Sequence, residues 1–375
     1  MQRITGLNSL AKLPELLLPY HHSRVLLVTG KASYVTSGAQ QVAETALKDM
    51  DVLRFNDFEI NPKIEDAIRG ADLARHKGID LILAIGGGSV LDMAKLIKAF
   101  YANPDASESL AKGKTPVTDP DIPLIAVPTT AGSGSEATHF AVVYIGGEKF
   151  SLAAPCLLPD RIILDGVLLA SATPYQKACN ILDALAQAIE SAWAVGSTKE
   201  SRDTAFRAID LITQHAHAMV RPDADPASLQ GLSEAANLAG QAINISKTTA
   251  AHAWSYGITG QYGIPHGHAV WLTLPMIFQI HAQARNQQIS DPRGPAHLRK
   301  IMARLMQALS IDRTDQCCAV LRGFMEDLAV QHDLEKLGPN TIKKRGTLSQ
   351  LANMQRMSNN PIRLNPQNIK DIFRI

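Results

Sequence analysis

The 375-residue chain has little of several features that mark particular protein classes. Its four cysteines are too few for a disulfide scaffold and contain no CxxC spacing typical of zinc or redox sites. No apolar run reaches the roughly 18 to 20 residues that span a bilayer. The N-terminus lacks the charged head and continuous apolar core of a signal peptide. We therefore expect a cytoplasmic protein with no membrane partner.

The chain also has no marked excess of positive or negative charge. Lys and Arg together number 37 against 35 Asp and Glu, a formal net charge of +2, so we expect no nucleic-acid partner. Hydrophobic residues make up 46% and charged residues 19%, which is typical of globular chains and excludes extensive disorder. The length allows about two or three domains.

The first part of the chain alternates short apolar runs with amphipathic stretches. This alternation predicts a parallel sheet covered by helices on both faces, as in a doubly wound, Rossmann-like α/β domain over residues 1–170. The predicted strands are 24–29, 52–55, 80–85 and 123–127, and the predicted helices are 38–48, 64–77 and 90–101.

Beyond this domain the pattern changes. Residues 141–145 and 150–152 flank a Gly-Gly turn and predict a hairpin. From about residue 171 onward, apolar residues recur at helical spacing, so we expect an all-α domain over 171–375. The helices predicted there are 175–194, 198–219, 227–246 and 297–308.

A glycine-rich turn, Gly86-Gly87-Gly88-Ser89, lies between a predicted strand and a predicted helix. Without a Cβ, backbone N–H groups can approach a phosphate at the positive end of the helix. The turn therefore predicts a site for a cofactor pyrophosphate, and the alternative is a tight turn with no ligand. The spacing is not GxGxxG, so the residues alone do not specify which phosphate binds.

A second loop, residues 128–136, also follows a strand and mixes hydroxyl residues with glycine. Thr129, Thr130 and Ser135 offer donors to phosphate or ribose. Two such loops at strand ends of one sheet support a nucleotide site better than either loop does alone.

Potential metal ligands occur in the predicted helical domain. Asp183 and Gln187 are one helical turn apart and point to the same side. His252 and His266 follow later in the chain. An Asp, two His and an amide oxygen form a set suited to a divalent ion acting as a Lewis acid, such as Fe²⁺ or Zn²⁺. Spacing alone does not establish that these residues meet.

Several separate motifs in the same order resemble the iron-containing (group III) alcohol dehydrogenase family. The resemblance implies an N-terminal domain that binds NAD or NADP, a helical domain that binds one divalent metal, and an active site in the interdomain cleft. The matching motifs are NDFEINP at 56–62, AIGGGSVLDMAK at 84–95, VPTTAGSGSE at 127–136, LPDRIILD at 158–165, LDALAQAIES at 182–191 and PHG at 265–267.

The same resemblance implies roles for individual residues. Three of the family's four metal-ligand positions hold Asp183, His252 and His266. The cofactor-binding positions are occupied by Asn61, Gly87, Gly88, Ser89, Asp92, Thr129, Thr130, Ser135 and Lys149.

The chain departs from the family pattern at three places. The fourth ligand position, normally histidine, is Gln187, a weaker ligand. Tyr256 stands where many members carry another histidine, which makes its phenol a candidate proton donor alongside His268. After the first predicted strand the chain has Gly30-Lys31 where many NAD-preferring members have an Asp, so NADP becomes possible.

We therefore expect an oxidoreductase that transfers a hydride between a nicotinamide and a small primary alcohol or aldehyde. The motifs resemble subgroups that reduce anionic aldehydes, such as phosphonoacetaldehyde reductases, or that oxidise a terminal hydroxyl of sugar acids. Two alternatives are a dehydroquinate synthase-like lyase that uses NAD transiently and a metal-free nucleotide-binding protein. The resemblance also implies a homodimer or a larger homo-oligomer.

Overall fold

The computed structural model describes residues 2–221, 223–337 and 342–374. The chain divides into two compact units, one running to Ala172 and including Ala224–Asn237, the other containing Thr173–Asp223 and the chain from Leu238 onward. The division expected at residue 170 assigned residues 224–237 to the second domain, whereas they belong to the first unit. Among the described residues, no helix has the length and apolar character needed to cross a bilayer.

A six-stranded, fully parallel sheet forms the centre of the first unit, with strand order β1-β8-β5-β4-β2-β3. The direction of winding reverses between β2 and β4, and ligands of such sheets bind outside the carboxyl ends of strands at this kind of switch point. The strands are β1 (Gln2–Thr5), β2 (Arg24–Thr29), β3 (Asp51–Phe55), β4 (Leu81–Gly86), β5 (Leu124–Pro128) and β8 (Arg161–Leu164), and a separate hairpin pairs β6 (Phe140–Ile145) with β7 (Glu148–Ala153).

The central strands are buried on both faces. Leu26 and Ile82 pack into an apolar cluster on one face of the sheet, whereas their neighbours Leu27 and Leu83 pack into a second cluster on the other. This explains why these strands read as continuous apolar runs. The α-helices of this unit are α1 (Leu13–Leu17), α2 (Ser33–Thr36), α3 (Ala39–Leu47), α4 (Ile64–Lys77), α5 (Gly88–Tyr101) and α6 (Ser107–Ala111).

The doubly wound domain and the hairpin predicted from the sequence are confirmed. The strands β1 and β8 were not predicted. Each has only four residues, and β1 lies at the sheet edge with mostly exposed side chains, so neither produces a strong apolar signal.

The second unit is helical, and each of its four predicted helices is present within one or two residues of the expected bounds. Its first helix begins at a capping box between Thr173 and Gln176, with Pro174 in the first turn. This helix is α7 (Pro174–Trp193), and the helices that follow it along the chain are α8 (Lys199–Met219), α9 (Pro226–Ser246), α10 (Ala250–Tyr262), α11 (His266–Trp271), α12 (Leu274–Ala282), α13 (Pro295–Ala308), α14 (Cys317–Asp327), α15 (Ile342–Ser349), α16 (Met354–Met357) and α17 (Pro366–Phe373). More than half of α9, as far as Asn237, belongs to the first unit.

Candidate active site

The two glycine-containing loops of the first unit meet at the carboxyl ends of β4 and β5. These strands are parallel neighbours, and Thr129 N donates to Gly86 O at 3.0 Å directly after them. A Cβ on Gly88 would lie 2.7 Å from Ser133 Oγ, so a larger residue does not fit there without displacing Ser133. Because Gly88 has no side chain, the second loop, residues 128–136, can close over the start of α5.

This arrangement suits a phosphate group. Gly87 precedes the first residue of the 14-residue helix α5, where N–H groups without helical partners and the helix dipole attract anions. Thr129 Oγ is buried and has no hydrogen-bond partner among the described residues. A buried hydroxyl of this kind is available to a ligand oxygen. The residues present therefore fit a dinucleotide pyrophosphate.

Asp92, on α5, connects the second loop and strand β6 to this helix. Ser135 Oγ donates to Asp92 Oδ1 at 2.6 Å, and the N–H of Val142 donates to Asp92 Oδ2 at 3.1 Å. Burial raises the pKa of Asp92, and the charges of Lys95 and Lys149 partly offset that effect. Both carboxylate oxygens are engaged, so the geometry gives Asp92 a role in positioning the loop.

Lys95 anchors the same segment one turn further along α5. Its side chain is fully buried, and Nζ donates to the carbonyl oxygens of Ser135, Thr138 and Phe140. Burial lowers the pKa of Lys95 to about 8, against the opposing charges of Asp92 and Glu136. The ammonium group is therefore held by loop carbonyls and does not reach solvent.

Three further sequence-predicted cofactor residues border these loops. Asn61 has a left-handed backbone (φ 64°), and its N–H donates to Ser89 Oγ at 3.2 Å. Thr130 lies beside Gly87, whose Cβ position would be 3.2 Å from Thr130 Oγ. The structure thus places Asn61, Ser89 and Thr130 around the N-terminus of α5.

Helix α7 carries the acidic part of the second candidate site. Asp183, Gln187 and Glu190 follow one another at four- and three-residue spacing, which puts them on one face of the helix. All three are buried. Ligand atoms of Asp183, His252 and His266 lie within 4.8 Å of one another, so the structure brings together the three residues expected to bind a metal.

Glu190 orients His252. It is completely buried and accepts hydrogen bonds from the N–H of Ala251 (2.8 Å) and from Thr249, through both its N–H (3.2 Å) and its hydroxyl (2.7 Å). The Nδ1 of His252 also donates to Glu190. This leaves Nε2 of His252 facing Asp183 Oδ1 at 3.5 Å. A carboxylate on the second ring nitrogen is the usual arrangement behind a metal-binding histidine.

A glycine permits the approach of His266. It is the first residue of α11, and a Cβ on the following Gly267 would lie 2.0 Å from the carbonyl oxygen of Cys179 and 2.9 Å from Asp183 Cβ. The indole N–H of Trp271 donates to Leu182 O at 2.6 Å and secures α11 against α7. The PHG motif is therefore explained by close packing of α11 on α7.

The electrostatics of the cluster favour a cation. Although burial opposes ionisation, the neighbouring His252 and His266 and a hydrogen bond from Gln187 hold the pKa of Asp183 below its usual value. Burial would lower the pKa of His252, but the charges of Glu190 and Asp183 outweigh it and raise the pKa to about 9. At neutral pH an ionised carboxylate therefore lies beside a protonated His252 in a buried pocket, and a bound metal ion would take the place of that proton.

The donor set fits a divalent metal. Asp183 Oδ1 and His252 Nε2 are buried and face each other at 3.5 Å, and among the described residues neither atom has any other hydrogen-bond partner. Buried polar atoms without partners are costly unless a ligand satisfies them. One carboxylate and two imidazoles form a typical site for Fe²⁺ or Zn²⁺.

The two candidate proton donors have different surroundings. Tyr256 is half-buried, and its ring centroid lies 6.0 Å from that of His266. His268 is buried; its Nε2–H donates to Gln331 O at 2.6 Å, and Nδ1 accepts from the hydroxyl of Tyr175 at 2.8 Å. Burial also lowers the pKa of His268. Both ring nitrogens of His268 are engaged in the protein interior.

Family models match both parts of the chain. The model for iron-containing alcohol dehydrogenase covers residues 2–166, and the model for the C-terminal domain of the Fe-containing alcohol dehydrogenase family covers residues 177–375. The chain belongs to the iron-containing alcohol dehydrogenase family. The resemblance drawn from the sequence motifs is thereby confirmed.

Curated relatives include a phosphonoacetaldehyde reductase from Streptomyces viridochromogenes, 37% identical over 242 residues that cover 61% of this chain and 60% of that protein. The probable alcohol dehydrogenase EutG of Escherichia coli is 34% identical over 233 residues, covering 61% of this chain and 58% of EutG. The chain thus spans less than two thirds of the length of these relatives.

Solved structures share the fold over the whole chain. The sulfoacetaldehyde reductase of Bifidobacterium kashiwanohense, crystallised with NAD⁺, has a TM-score of 0.86 at 24% identity, with coverage of 100% of this chain and 96% of that one. This likeness supports the α/β domain followed by a helical domain that was expected for the family.

Sequence reasoning missed Glu190, Lys95 and Ser133. Glu190 was visible in the LDALAQAIES motif, at helical spacing from Asp183 and Gln187, and this spacing is the signal that could have identified it. Lys95 is the last residue of the AIGGGSVLDMAK motif and lies one helical turn after Asp92. Nothing in the sequence reveals that a buried lysine binds three loop carbonyls.

Proposed function

We propose that this protein is a metal-dependent, NAD(P)-linked oxidoreductase that interconverts a small primary alcohol and its aldehyde. The observation that carries the proposal is the buried cluster of Asp183, His252 and His266 in a member of the iron-containing alcohol dehydrogenase family. The phosphate-compatible loops at Gly87 and Thr129 support the nicotinamide cofactor. The family assignment gives no support to the lyase alternative.

The metal would be held by Asp183, His252 and His266, with Gln187 beside them. When bound, it would act as a Lewis acid that polarises the carbonyl or alcohol oxygen of the substrate. Glu190 would keep Nδ1 of His252 protonated and Nε2 directed at the cluster. Ser135, Asp92 and Lys95 would keep the loop over the pyrophosphate in place.

Reduction requires a hydride from NAD(P)H at the carbonyl carbon and one proton at the carbonyl oxygen. We assign the exchange of this proton to Tyr256, a half-buried phenol near His266. His268, the other candidate, has a lowered pKa and two hydrogen bonds that hold a neutral ring in place. Its geometry favours support of α11 over proton exchange.

We further propose a small anionic aldehyde as the substrate, with phosphonoacetaldehyde as the first compound to test. The 37% identity to a phosphonoacetaldehyde reductase supports this choice over the terminal hydroxyl of a sugar acid. We also propose that the protein is cytoplasmic and forms a homodimer or a larger homo-oligomer. Analytical ultracentrifugation would measure the oligomeric state.

The activity can be tested with protein loaded with Fe²⁺ or Zn²⁺ and supplied with phosphonoacetaldehyde and NADH or NADPH labelled with deuterium on the transferred position. We expect the nicotinamide absorbance to fall and deuterium to appear on the carbinol carbon of the product. With Asp183→Ala we expect neither change. Cofactor binding without turnover of any aldehyde or alcohol would instead support the metal-free nucleotide-binding protein.

A further inference from the structure

Gln187 occupies a buried position within the candidate metal cluster. It follows Asp183 by one turn of α7 and is only 4% exposed. Its side chain hydrogen-bonds the Asp183 carboxylate. Because an ionised carboxylate only accepts hydrogen bonds, the Gln187 amide nitrogen is the donor. The carboxamide therefore lies at the same pocket as the three other donor groups.

The chemistry of the fourth side chain affects which cation binds. The cluster offers two imidazole nitrogens, from His252 and His266, and the Asp183 carboxylate. The buried Gln187 side chain, hydrogen-bonded to Asp183, adds a second oxygen-bearing group beside them. Imidazole is a good ligand for Zn²⁺, whereas carboxylate and carbonyl oxygens suit Mn²⁺ and other harder ions. A neutral amide oxygen also adds no charge to the site.

We propose that Gln187 is a metal-specificity residue that lowers the preference of this site for Zn²⁺ over Mn²⁺. This inference rests on the proposed metal site but goes beyond it. The amide lies one helical turn from Asp183, is hydrogen-bonded to its carboxylate, and offers a bound cation only a weak oxygen ligand. The pocket consequently tolerates harder divalent ions that a third imidazole would disfavour.

The test measures dissociation constants for Zn²⁺ and Mn²⁺ alone, by competition with a chromophoric chelator, in the full-length wild type and in Gln187→His and Gln187→Glu. We expect Gln187→His to raise the affinity for Zn²⁺ by at least about tenfold and that for Mn²⁺ by much less, which increases the ratio of the two affinities. Gln187→Glu, which keeps an oxygen at the same position, should strengthen both ions and leave the ratio nearly unchanged.

An unchanged ratio of the Zn²⁺ affinity to the Mn²⁺ affinity in Gln187→His, whether neither affinity changes or both rise equally, would overturn the inference. Thermal unfolding identifies a variant that fails to fold. In that event Gln187→Ala decides the question, because removal of the oxygen should weaken Mn²⁺ binding more than Zn²⁺ binding, and equal losses would refute the inference. If neither ion binds the wild type, or if Asp183→Ala binds both normally, the proposed metal site itself fails.

Discussion

Nδ1 of His252 donates a hydrogen bond to the fully buried carboxylate of Glu190, while Nε2 of the same ring faces Oδ1 of Asp183 at 3.5 Å. Glu190 also accepts two N–H groups at the start of α10, so one carboxylate fixes both the helix and its histidine. The metal-facing nitrogen of His252 is thus determined by a residue that is not itself among the three clustered ligand residues.

Replacing Glu190 by Gln should weaken divalent metal binding by about 10- to 100-fold, because the amide does not orient His252 through a charged hydrogen bond. Titration with Zn²⁺ would measure the loss, and the visible spectrum of the Co²⁺-loaded protein would report altered coordination. Glu200→Gln, on the exposed surface of α8, is the matched control. Equal affinities in the Glu190 variant and the wild type would contradict the role assigned to Glu190.

Metal affinity should rise with pH. Metal binding requires a neutral His252, whose pKa in the metal-free protein is raised to about 9 by Glu190 and Asp183 in opposition to burial. Below this value binding displaces one proton, so the affinity should increase roughly tenfold per pH unit and level off above it. Competition titrations at pH values below and above 9 would measure how the metal affinity changes with pH. A flat profile would show that His252 is already neutral or does not bind the metal.

Gly88→Ala should weaken NAD(P) binding by at least about tenfold, since the added Cβ would lie 2.7 Å from Ser133 Oγ and displace the loop that covers the start of α5. Fluorescence titration with NADH and NADPH would measure the dissociation constants. The control is Gly323→Ala, where the added Cβ meets no atom within 4 Å. Unchanged cofactor affinity in the Gly88 variant would place the pyrophosphate elsewhere.

His281 should make the protein less stable in mild acid. Burial lowers its pKa from 6.5 to about 4, and its ring stacks on Trp193 at 4.5 Å. The unfolded chain therefore binds the proton more readily, so stability is fully present above pH 6.5 and declines as the pH falls toward 4. The shift corresponds to a loss of up to about 3 kcal/mol.

Melting temperatures of wild type and His281→Gln across this pH range would test the effect. The variant should decline less steeply, whereas His76→Gln, at an exposed position on α4, should follow the wild type. Parallel curves for wild type and His281→Gln would assign the acid sensitivity to other groups.

Local patterns were sufficient for most of the fold. The apolar runs of β2 and β4 reflect strands buried on both faces, and the capping box at Thr173 marks the start of α7. By contrast, β1 is short and exposed, and it pairs with β8, more than 150 residues later in the chain. Its pairing therefore depends on residues far away in the sequence, which no local pattern reveals.

The candidate sites were predictable to different degrees. Asp183 and Gln187 share one helical face, which their spacing reveals, whereas the approach of His266 depends on packing of Gly267 against Cys179. The family resemblance supplied that grouping. The engagement of both nitrogens of His268 involves Tyr175 and Gln331, which no local pattern connects.

The most direct test of the account is the metal content per chain of protein purified without chelators or a histidine tag, measured by elemental analysis beside Asp183→Ala. We predict close to one divalent ion per wild-type chain and almost none in the variant. A wild-type protein that contains no metal and cannot be loaded with Fe²⁺, Zn²⁺ or Mn²⁺ would contradict the metal-dependent mechanism.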